Sequence, residues 1–186
     1  VFPLRTPHQG TLVSLQFLQE IQVWSIEMYE LKFCTPKAYK IFQLIDGYNS
    51  PKELSENLLA KSSILVPFPN RIADGLYTFE GKSYQLPINM PTEHHTIHGL
   101  VGNEKFEIIK TNDIVEENVV HLQHENLGQN SGYPFPFRVE IIYQLLDNGF
   151  ECEIKIENTG QTSIPLGVGW HPYFKIEGAI EELDLH

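Results

Sequence analysis

A strict alternation of apolar and charged side chains is the clearest pattern in this chain. One side of the alternation is apolar and consists of Phe150, Cys152, Ile154 and Ile156, and a Glu or Lys occupies each position between them. A period of two is typical of a β-strand with one buried and one solvated face. The turn sequence Asp147-Asn148-Gly149 precedes this strand and predicts a hairpin that pairs it with residues 139–145.

Other stretches predict further strands joined by tight turns. Glu80-Gly81-Lys82 separates two aromatic segments, residues 77–79 and 84–86, and predicts a hairpin in which Gly81 takes the strained backbone torsion. Residues 19–42 follow neither the strand period nor the helix period, so mixed structure is expected there. Three segments rich in apolar and β-branched residues also predict strands: residues 10–18, 105–110 and 115–123.

One short stretch has the sequence of a helix start. Ser50 can cap the helix, Pro51 suits its first position, and Glu53 can complete a capping box. Leu54 and Leu58 would then share one face of the helix.

The sum of these elements indicates the fold class. Several strands joined by Gly, Asn and Pro turns, with a single short helix, predict an all-β fold in the form of an antiparallel β-sandwich. No repeat and no linker divides the chain, so residues 1–186 are expected to form a single domain.

Charge and cysteine usage restrict the partners and the compartment. The chain has 13 Lys and Arg against 24 Asp and Glu, and its formal net charge of −11 disfavours nucleic acid and anionic membranes as partners. The two cysteines, Cys34 and Cys152, match no metal or redox motif, and Cys152 is expected to be a buried thiol on the apolar face of its strand. No apolar run reaches the roughly 20 residues that span a bilayer, and residues 1–5 do not resemble a signal peptide. A cytoplasmic location is therefore expected.

Three polar clusters carry the candidate chemistry, and they occupy residues 67–72, 94–100 and 167–174. In the last cluster, His171 can give or take a proton near neutral pH, although a core histidine satisfied by backbone hydrogen bonds is the commoner case. In the first cluster, Arg71 offers donors that suit neighbouring hydroxyls or a carboxylate, and Asn70 can both donate and accept, as sugar hydroxyls do. The alternatives are an ion pair between Arg71 and Asp74, and an Asn70 that only caps a turn.

The remaining motifs do not indicate metal binding or nucleophilic catalysis. Pro91 and Gly99 flank a group of three histidines and disfavour the helix that would align them, so no metal site is predicted at His94, His95 and His98. His121 and His124 are three apart in a predicted strand and are expected on its opposite faces. No nucleophilic Ser or Cys elbow and no phosphate-binding glycine loop occurs, which leaves acid and base chemistry on a neutral polar ligand.

Four motifs follow one another along the chain: Pro67-Phe68-Pro69-Asn70-Arg71-Ile72-Ala73-Asp74-Gly75, Ile97-His98-Gly99-Leu100, Gly132-Tyr133-Pro134-Phe135-Pro136-Phe137 and Gly169-Trp170-His171-Pro172-Tyr173-Phe174. Together they resemble the aldose 1-epimerase family, the galactose mutarotases. The resemblance is dense between Ile64 and Phe174 and weakest across residues 19–42. It implies a galactose mutarotase-like β-supersandwich and a reaction that interconverts the α and β anomers of free aldohexoses such as glucose or galactose. That reaction needs no cofactor and no metal.

The same resemblance assigns roles to individual residues. His171 is the general acid that protonates the ring oxygen, and His98 is a second catalytic residue that also contacts the sugar. The other sugar-binding residues are Asn70, Arg71 and Tyr173. The general base of the relatives is a glutamate far toward the C-terminus of longer chains, and its motif is matched by none of Glu177, Glu181 and Glu182. The chain is therefore expected to be a partial mutarotase domain without its C-terminal part.

Two other functions stay open from the sequence. A non-catalytic or degenerate carbohydrate-binding homologue would keep the hydrogen-bond donors without the base. A hexose-6-phosphate 1-epimerase would need basic residues for the phosphate, and the candidates near the motifs are Arg71, Lys82, Lys105 and Arg138. The proline after His171 looks more like the free-aldose branch of the family.

Overall fold

The regular structure of this chain consists mainly of short antiparallel strands. The computed structural model describes residues 2–5, 12–15, 32–35, 38–43, 45–56, 59–109, 119–146, 149–175, 179 and 181. Within these residues the chain forms the helix α1 (Pro51–Glu56) and the strands β1 (Phe2–Arg5), β2 (Leu12–Leu15), β3 (Lys32–Thr35), β4 (Ala38–Gln43), β5 (Ile64–Leu65), β6 (Arg71–Ala73), β7 (Leu76–Phe79), β8 (Lys82–Gln85), β9 (His95–Ile97), β10 (Glu107–Ile108), β11 (Val119–Asn126), β12 (Phe137–Leu146), β13 (Gly149–Asn158) and β14 (Gly169–Trp170). The predicted all-β class is confirmed.

The largest sheet has the strand order β10-β11-β12-β13 and is antiparallel throughout. The hairpin predicted from the alternation is confirmed, since β12 and β13 pair with Tyr143 opposite Cys152 and Ile141 opposite Ile154. Tyr143 and Ile141 are buried in the core. A register slip of one residue would turn this apolar face to solvent, so the alternation fixes the pairing. The tip of the hairpin, residues 147–148, lies outside the described residues.

Cys152 lies on the apolar face of β13, as predicted, and is a free thiol that is half-buried. Burial raises the pKa of this thiol to about 12, so it stays protonated near neutral pH. The side chain of Cys34 lies outside the described residues.

The hairpin around Gly81 is also confirmed, with Tyr77 of β7 opposite Tyr84 of β8. Both turn residues have positive φ, 48° at Glu80 and 76° at Gly81, as a two-residue turn with right-handed twist requires. The prediction gave the strained torsion to glycine alone, whereas Glu80 shares it. The rings of Tyr77 and Tyr84 stack across the pair at a centroid distance of 5.1 Å.

The predicted helix start is confirmed at α1. The Glu53 N–H donates to the Ser50 hydroxyl at 3.1 Å, which is the expected capping bond. The Glu53 carboxylate accepts from the Asn49 N–H at 2.8 Å, one residue earlier than in a regular capping box. Leu58 lies outside the described residues, so its predicted place beside Leu54 is not tested. In the described part of the chain, no helix is long and apolar enough to cross a membrane.

The other strand predictions agree with the structure in part. β2 lies inside the predicted segment 10–18, and β3 and β4 form a pair that begins inside residues 19–42 and ends at Gln43. β10 is shorter than the segment predicted for it, whereas β11 continues past its predicted end to Asn126. Residues 105–106 and 109 are described but lie outside β10. The remaining residues of these segments fall outside the described residues, at 10–11, 16–31, 36–37, 110 and 115–118.

The core lies between the apolar face of the large sheet and the loop that contains Tyr133. The Tyr133 ring meets the rings of Phe135 and Phe137 edge-on, at centroid distances of 5.0 and 5.9 Å. Its hydroxyl donates to the Pro165 carbonyl at 2.7 Å, so the polar tip of this buried side chain is satisfied. The buried cluster also includes Ile45, Ile64, Val66, Leu86, Val101, Leu122, Val139, Ile141 and Tyr143.

Two short strand pairs bring distant motifs together at the edge of this core. β5 pairs with β14, and β6 pairs with β9. Val66, which follows β5, bridges to Gly99, and its carbonyl accepts a hydrogen bond from the Leu100 N–H at 2.7 Å. The three motifs that contain Arg71, Gly99 and Gly169 are neighbours for this reason.

The close approach at Gly99 gives a test of this arrangement. A Cβ on Gly99 would lie 2.2 Å from the Val66 carbonyl oxygen at a φ of +78°, whereas Gly81 has a similar φ of +76° and nothing within 4 Å. We expect Gly81→Ala to lower the free energy of unfolding by about 1 kcal/mol through backbone strain alone. We expect Gly99→Ala to lower it by about 3 kcal/mol or more, because the clash adds to the strain. Urea unfolding of the full-length protein measures both, and equal losses would contradict the packing described for Gly99.

Candidate active site

The segment that carries His171 is held by backbone hydrogen bonds from two sides. On one side, the His171 N–H donates to the Ser63 carbonyl at 3.1 Å, and the Ser62 N–H donates to the His171 carbonyl at 2.8 Å. On the other side, the Asp46 N–H donates to the Tyr173 carbonyl at 2.7 Å. Backbone groups paired in this way leave the segment little conformational freedom.

A partly buried ion pair joins the two stretches of chain that flank this segment. The Lys61 ammonium lies 2.8 Å from the Asp46 carboxylate and 3.6 Å from the Glu53 carboxylate, and it donates to the Gly47 carbonyl at 3.1 Å. Lys61 is 7% exposed, so its charge depends on these acceptors. The hydrogen bond to Asp46 raises the pKa of Lys61 above its ordinary value. The pair therefore reinforces the frame around His171.

The His171 ring is half-buried and contacts two other rings. It stacks on Tyr173 at a centroid distance of 5.2 Å and an interplanar angle of 18°. It meets the His98 ring edge-on at 5.3 Å and 81°. No hydrogen bond joins its ring nitrogens to the described residues, unlike a core histidine whose nitrogens are satisfied by the backbone. The ring is therefore placed by packing, and its nitrogens are available to a ligand.

Asn70 and His98 hold each other in an uncommon backbone conformation. Both have positive φ, 63° and 65°. The His98 N–H donates to the Asn70 carbonyl at 3.0 Å, and the Asn70 N–H donates to Nδ1 of the His98 ring at 3.3 Å. Non-glycine residues in this region cost on the order of 1 kcal/mol or more each and persist where the surroundings fix them.

The hydrogen bond from the Asn70 N–H also determines which ring nitrogen of His98 carries the proton. A ring nitrogen that accepts a hydrogen bond carries no proton, so neutral His98 carries its proton on Nε2 and can donate it to a ligand. Burial lowers the pKa of His98 below its ordinary value, and the nearby His171 and Arg71 lower it further. His98 is therefore suited to act as a neutral hydrogen-bond donor at neutral pH.

Arg71 begins β6 and keeps its side chain at the surface beside Asn70. Its Nε donates to Glu93 at 3.2 Å, and its Nη1 donates to the Asn70 side-chain oxygen at 3.4 Å. The alternative ion pair with Asp74 is wrong, because Asp74 instead contacts the His94 ring at 2.9 Å. The Asn70 oxygen also accepts from the Arg71 N–H at 2.9 Å, so Asn70 orders its own turn as well as the guanidinium.

The structure thus brings the sequence-predicted residues into one connected set. Contacts run from Arg71 through Asn70 and His98 to His171, and from there to Tyr173. Sequence reasoning missed Glu93, whose contact with Arg71 depends on the pairing of β6 with β9 and has no local pattern that could reveal it. It also missed the Lys61–Asp46 pair, because these two residues are distant in sequence and meet only in the folded chain.

The three clustered histidines point to different surroundings. His95 lies in a strand, not a helix, while His94 contacts Asp74 and His98 lies against His171. Among the described residues, no three His, Cys, Asp or Glu side chains are placed to hold a metal ion.

On β11, His121 contacts the Glu140 carboxylate and His124 contacts the Lys105 carbonyl, on opposite faces of the strand.

The fold and the site define an all-β protein with a polar, histidine-containing site at the edge of its core. Residues 31–186 match the sequence model of a family described as aldose 1-epimerase. The chain belongs to the aldose 1-epimerase family.

Relatives of this chain include proteins with and without an assigned activity. It is 36% identical over 126 residues to the uncharacterized protein YihR of Escherichia coli (strain K12), an alignment that covers 67% of this chain and 39% of YihR. It is 31% identical over 109 residues to galactose mutarotase of Rattus norvegicus, which covers 59% of this chain and 30% of the rat protein. The chain therefore spans less than half the length of these relatives.

Solved structures of the family share the fold. A GalM/aldose epimerase homologue from C. elegans superimposes with a TM-score of 0.64 at 21% identity, over 92% of this chain and 49% of that one. A putative aldose 1-epimerase from Escherichia coli K12 superimposes with a TM-score of 0.57 at 24% identity, over 77% of this chain and 44% of that one. These likenesses confirm the fold expected from the motifs.

The environment of His98 gives a second prediction. Because Arg71 is one cause of the lowered pKa, Arg71→Gln should raise the pKa of His98 toward its ordinary value of 6.5. A histidine whose pKa falls on folding favours the folded state while it is neutral. Its contribution to stability is therefore lost as the pH drops from about 6.5 toward the lower native value. An NMR titration of the histidine Cε1 protons in the full-length protein measures the pKa of His98 with and without Arg71→Gln. A native pKa of His98 at or above 6.5 would contradict the described site.

Proposed function

We propose that this protein is an aldose 1-epimerase that interconverts the α and β anomers of free aldohexoses such as glucose or galactose. The observation that carries the proposal is the contact between the His171 and His98 rings beside Asn70 and Arg71, within the residues that match the family. Membership of the family supports an isomerase that acts on sugars.

The proposed mechanism assigns the acid step to His171. Opening the hemiacetal ring requires an acid at the ring oxygen and a base at the anomeric hydroxyl, and the roles reverse when the ring closes on the other face. His171 is suited to the acid role because its ring is positioned by Tyr173 and His98 while its nitrogens face no described hydrogen-bond partner. We assign the base to the family's C-terminal glutamate, which no glutamate in this chain matches.

The other site residues are proposed to hold the sugar. His98 donates from Nε2, because its Nδ1 already accepts from Asn70. Arg71 donates from the part of its guanidinium that is not committed to Glu93 and Asn70, and Tyr173 packs its ring against that of His171. Fixed donors around a neutral ligand lower the barrier mainly by orienting it for proton transfer.

The cations near the motifs favour a free aldose over a hexose 6-phosphate. Arg71 is paired with Glu93, and Arg138 lies on the large sheet between two carboxylates, Glu125 and Glu157. Lys82 extends over the Tyr84 ring at 5.1 Å. A phosphate is best held by cations that are not already neutralised, so the carboxylate pairing of the two arginines supports the neutral substrate.

We also propose that the protein works in the cytoplasm and binds neither nucleic acid nor membranes. The net charge of −11 repels polyanions. The free thiol at Cys152 is compatible with a reducing compartment.

Polarimetry tests the proposed activity. The full-length gene product should accelerate the mutarotation of freshly dissolved α-glucose or α-galactose, and His171→Asn should lower kcat by at least about 100-fold because the acid is lost. His121→Asn is the matched control, since His121 contacts Glu140 on the large sheet and takes no part in the site. Its kcat should match that of the unmodified protein.

Two results would contradict the proposal. One is mutarotation by the intact protein that His171→Asn leaves unchanged. The other is calorimetric binding of an aldose with no acceleration of mutarotation, which would identify a non-catalytic sugar-binding protein instead.

A further inference from the structure

Glu93 is placed next to the proposed sugar site by a hydrogen-bonded turn. The turn follows Met90, whose carbonyl accepts from the N–H groups of Glu93 at 3.3 Å and His95 at 3.2 Å. β9 starts at His95 and pairs with β6, where Arg71 lies opposite Ile97. This geometry brings the Glu93 carboxylate to 3.2 Å from Nε of Arg71.

This ion pair contributes little to stability. The side chains of Arg71 and Glu93 are 46% and 48% exposed, and pairs this exposed stabilise proteins weakly. Its main consequence is electrostatic, because the Glu93 carboxylate offsets the positive charge of the Arg71 guanidinium next to the proposed sugar site. The pair as a whole is neutral, yet Arg71 keeps donors for neutral hydroxyl groups.

We propose that Glu93 is a specificity-determining residue that makes the site prefer neutral aldoses to anionic sugars by neutralising Arg71. The inference rests on the proposed function, since it takes the site to be a sugar site. A carboxylate or phosphate on a sugar would be attracted by Arg71 and repelled by Glu93 at nearly the same distance. A neutral aldose does not experience this repulsion.

The size of the effect follows from Coulomb's law. Removing one negative charge about 6 Å from a bound anion, in surroundings close to water, should strengthen its binding about threefold. The same change should alter the affinity for a neutral sugar much less. The measured quantity is therefore the ratio of the dissociation constants for an anionic and a neutral sugar.

The chain offers a matched control at Asp74. This carboxylate lies in the turn directly after β6, is 71% exposed and contacts His94 instead of Arg71. Asp74→Asn removes the same charge from the same part of the surface and leaves the Arg71–Glu93 pair intact. The difference between Glu93→Gln and Asp74→Asn isolates the contact with Arg71 from the change in net charge.

The experiment is a ligand-detected NMR titration of the full-length protein with glucuronate and with glucose, at constant ionic strength. In Glu93→Gln the ratio of the dissociation constants, glucuronate to glucose, should fall about threefold, and in Asp74→Asn it should change by less than about 1.5-fold. Arg71→Gln should change the ratio in the opposite direction, because it removes the positive charge that attracts the anion.

Equal changes of the ratio in Glu93→Gln and Asp74→Asn would overturn the proposal, and so would an equal tightening of glucose and glucuronate. The titration needs no turnover. A protein that shows the expected ratios but no mutarotation would contradict the proposed reaction and still support the role of Glu93. A protein that accelerates mutarotation but does not show the expected ratios would support the proposed reaction and contradict the role of Glu93.

Discussion

The site depends on the two-sided backbone pairing of the segment from Gly169 to Phe174. One side pairs with Ile64 and its neighbours, and the other side bonds to Asp46, so the segment behaves as a short inner strand. The Lys61–Asp46 ion pair links the two flanking stretches of chain to each other. The proton transfer proposed for His171 requires a fixed geometry, and this frame restricts the backbone at His171 while its ring nitrogens stay free of described partners.

A second constraint orients the groups that face His171. Asn70 and His98 each adopt positive φ, and each donates its backbone N–H to the other residue. The strain of these two residues is sustained by the bridge between Val66 and Gly99 next to them. Local strain at a polar cluster beside a rigid frame is typical of functional sites, where the surrounding fold fixes side chains that would otherwise choose other conformations.

The sequence is informative where the determinants are local. The β12–β13 hairpin and the Gly81 turn could be predicted because period, turn residues and pairing all lie within a few residues. The pairing of β5 with β14 joins segments far apart in the chain, so only the resemblance of the motifs placed His171 near Arg71. The alternative partner for Arg71, Asp74, is suggested by nearness in sequence, but β6–β9 pairing brings Glu93 to Arg71 instead.

The central claim is that His98 and His171 belong to one sugar site, and ligand-induced shifts of the histidine Cε1 resonances test it most directly. Titration of the full-length protein with glucose or galactose should move the resonances of both residues along curves that give one common dissociation constant. The resonances of His121 and His124, on the large sheet, should stay in place. Unmoved resonances of His98 and His171, or shifts of equal size at all four histidines, would contradict the account.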